Sequence, residues 1–315
     1  MENFGIMLKS YGPDLPYAQR FLESFLAYAT EPIPLFIVVP DQDIYAFTEM
    51  FTSHATVLPE SMWGDQLVDY SIHGNSPGYI NQEIIKLAFA ESGFLRNYLC
   101  VDSEAVFIRP FSSRDFMDLT GVPYSFITED HELHVDPVYF DTYWQHRDKW
   151  LKTLREFFQL PEDNYLTCHG FAVLHSEYAQ SLLSYLRQKN MTIAGALEIC
   201  PYEFSWYNFW VEKNYPKSRI IREPIFKTVH IQSEYLALAI KSVSQEDLAR
   251  GYVGVVINSG FSRSSGEGQL DAPLERVLGS YVDYRDLMGA IFERMFVRAP
   301  RVRTLLGKGR RTSSS

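Results

Sequence analysis

Two carboxylates one residue apart, Asp102 and Glu104, follow the apolar run Tyr98-Leu99-Cys100-Val101 and precede Ala105-Val106-Phe107-Ile108, which Arg109-Pro110-Phe111 closes. In an extended backbone, side chains at i and i+2 leave on the same side. Asp102 and Glu104 would then converge while Ser103 points away. Neighbouring carboxylates repel unless a proton or a cation sits between them. A divalent ion with oxygen ligands, able to hold a phosphate as well, is one solution. The plain alternative is a polar loop that begins where a strand ends.

What would position such a pair can be read from hydrophobic periodicity. Phe4–Leu8 reads as a strand and is followed by Asp14 as a helix N-cap, Pro16 at an early helical position, and Phe21, Leu22, Phe25 and Leu26 at helical spacing. Pro34–Val39 is a second strand, Ile44, Phe47 and Phe51 mark a helix, and Thr56-Val57-Leu58 a third strand. Strand-helix-strand-helix predicts an α/β fold with a mostly parallel sheet, flanked by helices and joined by right-handed crossovers. Ligands of such sheets lie beyond the carboxyl ends of the strands, which gathers Ser10, Tyr11, Asp14, Asp41, Asp102 and Glu104 on one rim. No Gly-x-Gly-x-x-Gly follows the first strand and no Gly-x-x-x-x-Gly-Lys-Ser/Thr occurs, so the common dinucleotide and P-loop readings are weak.

Further along, Ile80, Ile84, Leu87 and Ala88 trace a helix with Gln82 and Lys86 one turn apart on another face. Those two either reach a ligand's phosphates or belong to a solvated surface. The loop-rich stretch 115–141 offers His134 and Asp136 as sugar contacts, with a solvated loop as the alternative. It leads into a helix from Asp141 to Phe158. Leu166–Leu174 reads as a turn into a strand, after which Ser176 caps a helix. There Gly170 would let a ligand approach the backbone, and His169 is either a sugar contact or structural. Glu203 stands within the most aromatic stretch, Pro201–Trp210, where a lone acid is paired, functional or capping a helix start. His230, inside the apolar Val229-His230-Ile231, reads by default as a core histidine.

The chain has 315 residues, 46% of them hydrophobic, enough for one large α/β domain or two small ones. Seven of its 29 basic residues and no acid fall in 294–315, so the remaining body carries 22 bases against 39 acids. That acidic body argues against nucleic-acid binding. Cys100, Cys168 and Cys200 are too scattered for a disulfide framework or a zinc site and suit a reducing compartment. No signal-peptide pattern or uncharged membrane-length stretch is seen, so a cytoplasmic location is expected. The Gly- and Ser-rich 260–269 marks a boundary between a domain over 1–260 and a linker, amphipathic helix and basic tail over 261–315. Through residues 281–311 that tail could lie on the inner face of an anionic membrane, bind a partner, or act as a solubilising tail.

Asp102-Ser103-Glu104 with Ala105–Phe111 resembles the Asp-x-Asp region of GT-A type glycosyltransferases. More closely, the chain resembles an uncharacterised bacterial family of predicted glycosyltransferases. Four further segments match in order: Lys9-Ser10-Tyr11 to Asp14, Gly78-Tyr79 with Gln82 and Lys86, Glu203-Phe204 with Tyr207, and His230–Ser233. The resemblance implies a GT-A (Rossmann-like) fold and transfer of a sugar from a UDP- or GDP-sugar to a polysaccharide or glycolipid acceptor. It implies Mn²⁺ or Mg²⁺ held by Asp102, Glu104 and His230. Ser10, Tyr11, Asp14 and Asp41 would contact the nucleoside, with Ser103 beside them. Gln82 and Lys86 would face the donor, and Glu203 and His169 the reacting sugars, with Glu203 as general base if the enzyme inverts. The motif ends in Glu where Asp is commoner, and the run around Glu203 departs from the family's. A non-catalytic nucleotide- or carbohydrate-binding protein of the same fold is therefore the rival reading. A sugar-phosphate nucleotidyltransferase is weaker, for want of a Gly-rich, Arg-containing loop after the first strand.

Overall fold

The computed structural model describes residues 2–127, 137–161, 170–230 and 243–257, together with 234, 238 and 241. A central sheet of five strands is formed by β1 (Glu2–Lys9), β2 (Leu35–Val39), β3 (Thr56–Pro59), β4 (Leu95–Asp102) and β7 (Phe171–His175). Their order is β3-β2-β1-β4-β7, all parallel except β7, which runs antiparallel to β4. The α/β fold with a mostly parallel sheet between helices is thus the one the periodicity predicts.

Strands buried on both faces sort their side chains by parity. Ile6, Leu8, Ile37, Leu99 and Val101 point to one face, where they pack with Ala18, Phe21, Leu22 and Phe25 of α1 (Leu15–Tyr28) and Phe47 and Phe51 of α2 (Ile44–Phe51). Met7, Val38, Tyr98 and Cys100 point to the other. There they meet α3 (Pro77–Ala88), α5 (Ser176–Gln188), α6 (Ile193–Ile199) and α7 (Glu203–Asn214), with Leu151, Leu154 and Phe158 of α4 (Pro137–Phe158). The same parity continues past the apolar run. Lys9 follows Met7 by two, Asp102 follows Cys100 by two, and the two residues are register partners across β1 and β4. Both therefore leave the sheet toward α3 and α7.

Two smaller sheets complete the fold. β5 (Ala105–Phe107) joins β9 (Phe226–Val229) through the intervening β10 (Gly254–Ile257), and β6 (Tyr124–Phe126) pairs with β8 (Ile220–Arg222). A short helix, α8 (Gln245–Ala249), is opened by a capping box in which Ser244 and Asp247 bond each other's backbone N–H groups.

Several local expectations are corrected. Ser103 and Glu104 form a turn between β4 and β5, not an extended continuation, so the same-side rule does not apply to Asp102 and Glu104. Asp14 precedes α1 but makes no capping bond with its side chain. Ser176 opens α5 with its hydroxyl donated to the Leu95 carbonyl of β4. The helix expected from Asp141 begins earlier, at Pro137. The linker and basic tail expected over 261–315 lie outside the described residues, as do His134, Asp136 and His169.

Two positions test this packing. A Cβ on Gly5 would sit 2.8 Å from the Pro34 carbonyl oxygen and 2.6 Å from Leu95, so Gly5→Ala forces β1 and β2 apart. It is expected to cost about 1–3 kcal/mol in urea unfolding. His175 is buried at the end of β7, its ring stacked on Tyr178 at 4.3 Å, and burial holds its pKa below the usual 6.5. The folded imidazole resists a proton that the unfolded one accepts. Its contribution to stability is therefore intact above pH 6.5 and lost as pH falls below it. The loss of melting temperature between about pH 7.5 and about pH 5.5 should be smaller in His175→Gln than in wild type.

Candidate functional site

At the carboxyl end of the central sheet, one ammonium is ringed by three carboxylates. Lys86 Nζ lies 3.1 Å from Glu203 Oε1, 3.2 Å from Asp102 Oδ1 and 3.5 Å from Glu83 Oε1. The Gln82 amide donates to the same Asp102 oxygen at 3.1 Å. The side chains of Lys86, Glu83 and Glu203 are at most 7% exposed, while that of Asp102 is 25% exposed. Asp102 is the member of the cluster that opens toward solvent.

Each residue is delivered by its own element. Ser76 accepts from the Tyr79 N–H and starts α3, with Pro77 in the first turn. Gln82, Glu83 and Lys86 follow within one turn of one another. Asp102 arrives on β4 by parity, and Glu203 is the first residue of α7. Trp206, Phe209 and Trp210 anchor that helix in the core, and the Trp206 indole donates to the Cys200 carbonyl at 2.9 Å. Sequence spacing put Gln82 and Lys86 on a polar face; the structure buries Lys86.

Charge explains how the cluster holds together. Burial alone would pull the Lys86 pKa down, but Asp102, Glu203 and Glu83 outweigh it and hold it well above the ordinary lysine value. Glu83 is shifted well upward, first by burial and then by the repulsion of Glu203, with Lys86 opposing. Glu203 resists burial through the Lys86 charge and hydrogen bonds from Glu83, Lys86 and its own backbone N–H, and stays below the usual carboxylate value. Asp102 is anchored through Oδ1. Its Oδ2 faces Gly170, where a Cβ would lie 3.4 Å away. A carboxylate anchored through one oxygen and partly exposed can accept hydrogen bonds from hydroxyl groups.

The other predicted residues divide. Ser10 sits at the end of β1 with a buried hydroxyl that has no partner among the described residues. Beneath it, Lys9 is buried, donates to the Ser10 carbonyl at 2.8 Å and pairs with Glu60 at 2.7 Å. Tyr11 precedes the 3-10 turn Gly12–Asp14. Asp14 accepts from the Ser103 hydroxyl at 3.4 Å, and both are buried. Asp41 is occupied locally, accepting from the Ser61 hydroxyl at 2.6 Å and the Ser61 N–H at 3.1 Å.

The expected metal triad is not assembled: among the described residues, no three His, Cys, Asp or Glu side chains gather in a way that could hold an ion. Glu104 stands half-buried in the turn. His230 follows β9, its backbone N–H donating to Glu234 at 2.8 Å, and Glu234 in turn pairs with Lys227 at 2.7 Å. Burial, then the charges of Lys227 and Arg147, pull the His230 pKa down to about 3. The described residues thus do not fit a three-ligand Mn²⁺ or Mg²⁺ site.

Sequence reasoning missed Glu83, Lys9, Glu60 and Arg147, whose guanidinium lies 4.2 Å over the Tyr202 ring. Glu83 left a signal, since it falls three residues after Ile80 and four before Leu87, on the apolar stripe of its own helix. Removing the central cation should leave buried carboxylates unpaired. Lys86→Met is expected to lose about 3–5 kcal/mol in denaturant unfolding at neutral pH.

Residues 8–247 match the profile of a family of unknown function, DUF6492. None of the curated protein sequences is a significant match. Among solved structures, the chain is similar to mouse xyloside xylosyltransferase 1 in its apo form, with 13% identity and a TM-score of 0.48, over 82% of this chain and 98% of that one. It is also similar to an active-site mutant of LgtC, with 9% identity and a TM-score of 0.48, over 91% and 95%. The galactosyltransferase LgtC in complex with donor and acceptor sugar analogues aligns with 10% identity and a TM-score of 0.46, over 80% and 86%. No helix among the described residues is long and apolar enough to cross a membrane.

Proposed function

The chain belongs to the family of unknown function DUF6492, and we propose that it is a glycosyltransferase that moves a sugar from a nucleotide-sugar donor to a saccharide or glycolipid acceptor. The observation that carries this reading is the convergence of Gln82, Lys86, Asp102 and Glu203 at the ligand-binding end of the sheet. These residues come from three distant segments, and each belongs to a segment through which the sequence resembles glycosyltransferases.

In this reading the nucleoside lies along Ser10, Tyr11 and Asp14 beyond β1, and the donor sugar lies over Asp102. The Gln82 amide and the Lys86 ammonium fix Asp102 Oδ1, which leaves Oδ2 to accept from a donor-sugar hydroxyl and orient the ring. Glu203 is buried and engaged by Lys86 and Glu83, so it is assigned to holding Lys86 in place and not to taking the acceptor's proton. Transfer breaks the bond between the anomeric carbon and the diphosphate oxygen, forms one to the acceptor oxygen, whose proton passes to the departing diphosphate or to water, and leaves charge on that diphosphate. Charge of that kind is stabilised by preorganised donors or cations. The buried Ser10 hydroxyl supplies a donor at that rim; no step is assigned to a metal ion.

The test is hydrolysis and transfer assayed over a panel of UDP- and GDP-sugars, with Mn²⁺ supplied, for wild type and Asp102→Ala. Loss of a preorganised polar contact of this kind is expected to lower kcat by about 10²–10³-fold. Equal activity in both proteins would remove Asp102 from the reaction. Thermal stabilisation by a donor with no turnover would favour the non-catalytic binding protein of the same fold.

A further inference from the structure

Three carboxylates and one ammonium form a single cluster at the end of the sheet, all of them buried except Asp102, which is partly exposed. If all four were ionised, the group would carry two uncompensated negative charges in a region where each is costly. The neighbours do not supply the balance. Facing Glu83 are Lys86 and the Tyr79 ring on its own helix, Glu203 on α7 and Asp102 on β4. Lys9, the next cation along the rim, is already paired with Glu60 at 2.7 Å. Among the described residues, the ion pairs of these three carboxylates all run to Lys86. A proton on one carboxylate lowers the excess charge.

We propose that Glu83 is a positioning residue that keeps its proton in the folded protein and donates it in a hydrogen bond to Glu203. The proton's place follows from geometry and burial. Glu203 has the shorter contact with Lys86, 3.1 Å against 3.5 Å for Glu83, and its own backbone N–H as a further donor. The charged form is therefore better served at Glu203, and Glu83 takes the neutral role. Its pKa is shifted in the direction this requires, and buried glutamic acids that stay protonated near neutral pH are known. With that proton in place the cluster carries a single net negative charge. Lys86 is then divided between Glu203 behind it and Asp102 in front, in place of being drawn back by two competing anions. Glu83 touches no reacting atom; it fixes the ammonium that fixes Asp102.

The assignment rests on the glycosyltransferase reading only for its consequence in turnover, and its first test needs no substrate. Difference infrared spectroscopy of the intact protein, with glutamate-specific carbon-13 labelling, should show a protonated carboxyl band at neutral pH that disappears in Glu83→Gln. A band absent from wild type, or retained in Glu83→Gln, would overturn the proposal, and the wild-type band alone decides if that variant does not fold. In the donor assay, Glu83→Gln, whose amide can donate to Glu203 as the acid does, should keep kcat/KM within about threefold of wild type, whereas Glu83→Leu should lose at least about tenfold, mostly in kcat. Equal losses in the two variants would sink the positioning role. If no donor is turned over by wild type, the function proposed above fails while the infrared result still decides the proton.

Discussion

A buried ammonium and the carboxylates around it constrain each other. Lys86 is tolerable in the core only because Asp102, Glu83 and Glu203 surround it, and those acids are tolerable only because Lys86 is there. The requirement spans three elements. The helix that carries Lys86, the strand that ends at Asp102 and the helix that begins at Glu203 must dock so that these contacts form together, or a charge is left without a partner. Hydrophobic burial is non-directional and would accept several registers; the charges select one.

The sheet makes that selection possible through parity. Alternation along β4 sends Tyr98 and Cys100 toward α3 and α7, and the next position of the same parity is Asp102. β1 repeats the device with Met7 and Lys9. At the carboxyl end of each strand the apolar residue gives way to a charged one on the same face, so the core passes directly into the site without a break in packing. Beneath it, the aromatic body of α7 supplies the rigidity. Trp206 is held by Phe157 and Phe158 at ring-centroid distances of 5.0 and 5.4 Å, which keeps the helix start, and with it Glu203, in place.

How much of this was legible depended on whether the governing interaction was local. The alternation of strands and helices from Phe4 to Leu58 was readable because buried faces impose periods of 2 and 3.6 on the sequence. The convergence of Gln82 and Lys86 with Asp102 and Glu203 was not readable from spacing, since residues 86 and 203 meet only through the tertiary fold; there the family resemblance supplied what periodicity could not. The geometry drawn for Asp102 and Glu104 failed because two residues of turn replaced extended backbone. Asp14 and Asp41, read as nucleoside contacts, each accept a hydrogen bond from a serine in the fold, a pairing that spacing does not reveal. Glu83 carried a local signal of its own, an acid on the apolar stripe of its helix, while Gln82 beside it lies on the polar face.

The turn that follows Asp102 is anchored downstream by β5, and β5 is joined to the rest of its small sheet only through β10, which comes far later in the chain. Register there is set by Val106 opposite Val255 and Phe107 opposite Gly254. During synthesis the five-stranded sheet has all its strands once residue 175 has emerged, whereas β5, held until then by the Phe107 N–H bond to Ser24 and the Phe111 bridge to Ala29, gains its strand partner only with residues 254–257. A nascent chain would thus hold the central sheet before the small sheet beside Asp102 is closed, so that the β5–β10 pairing comes late in the order of folding.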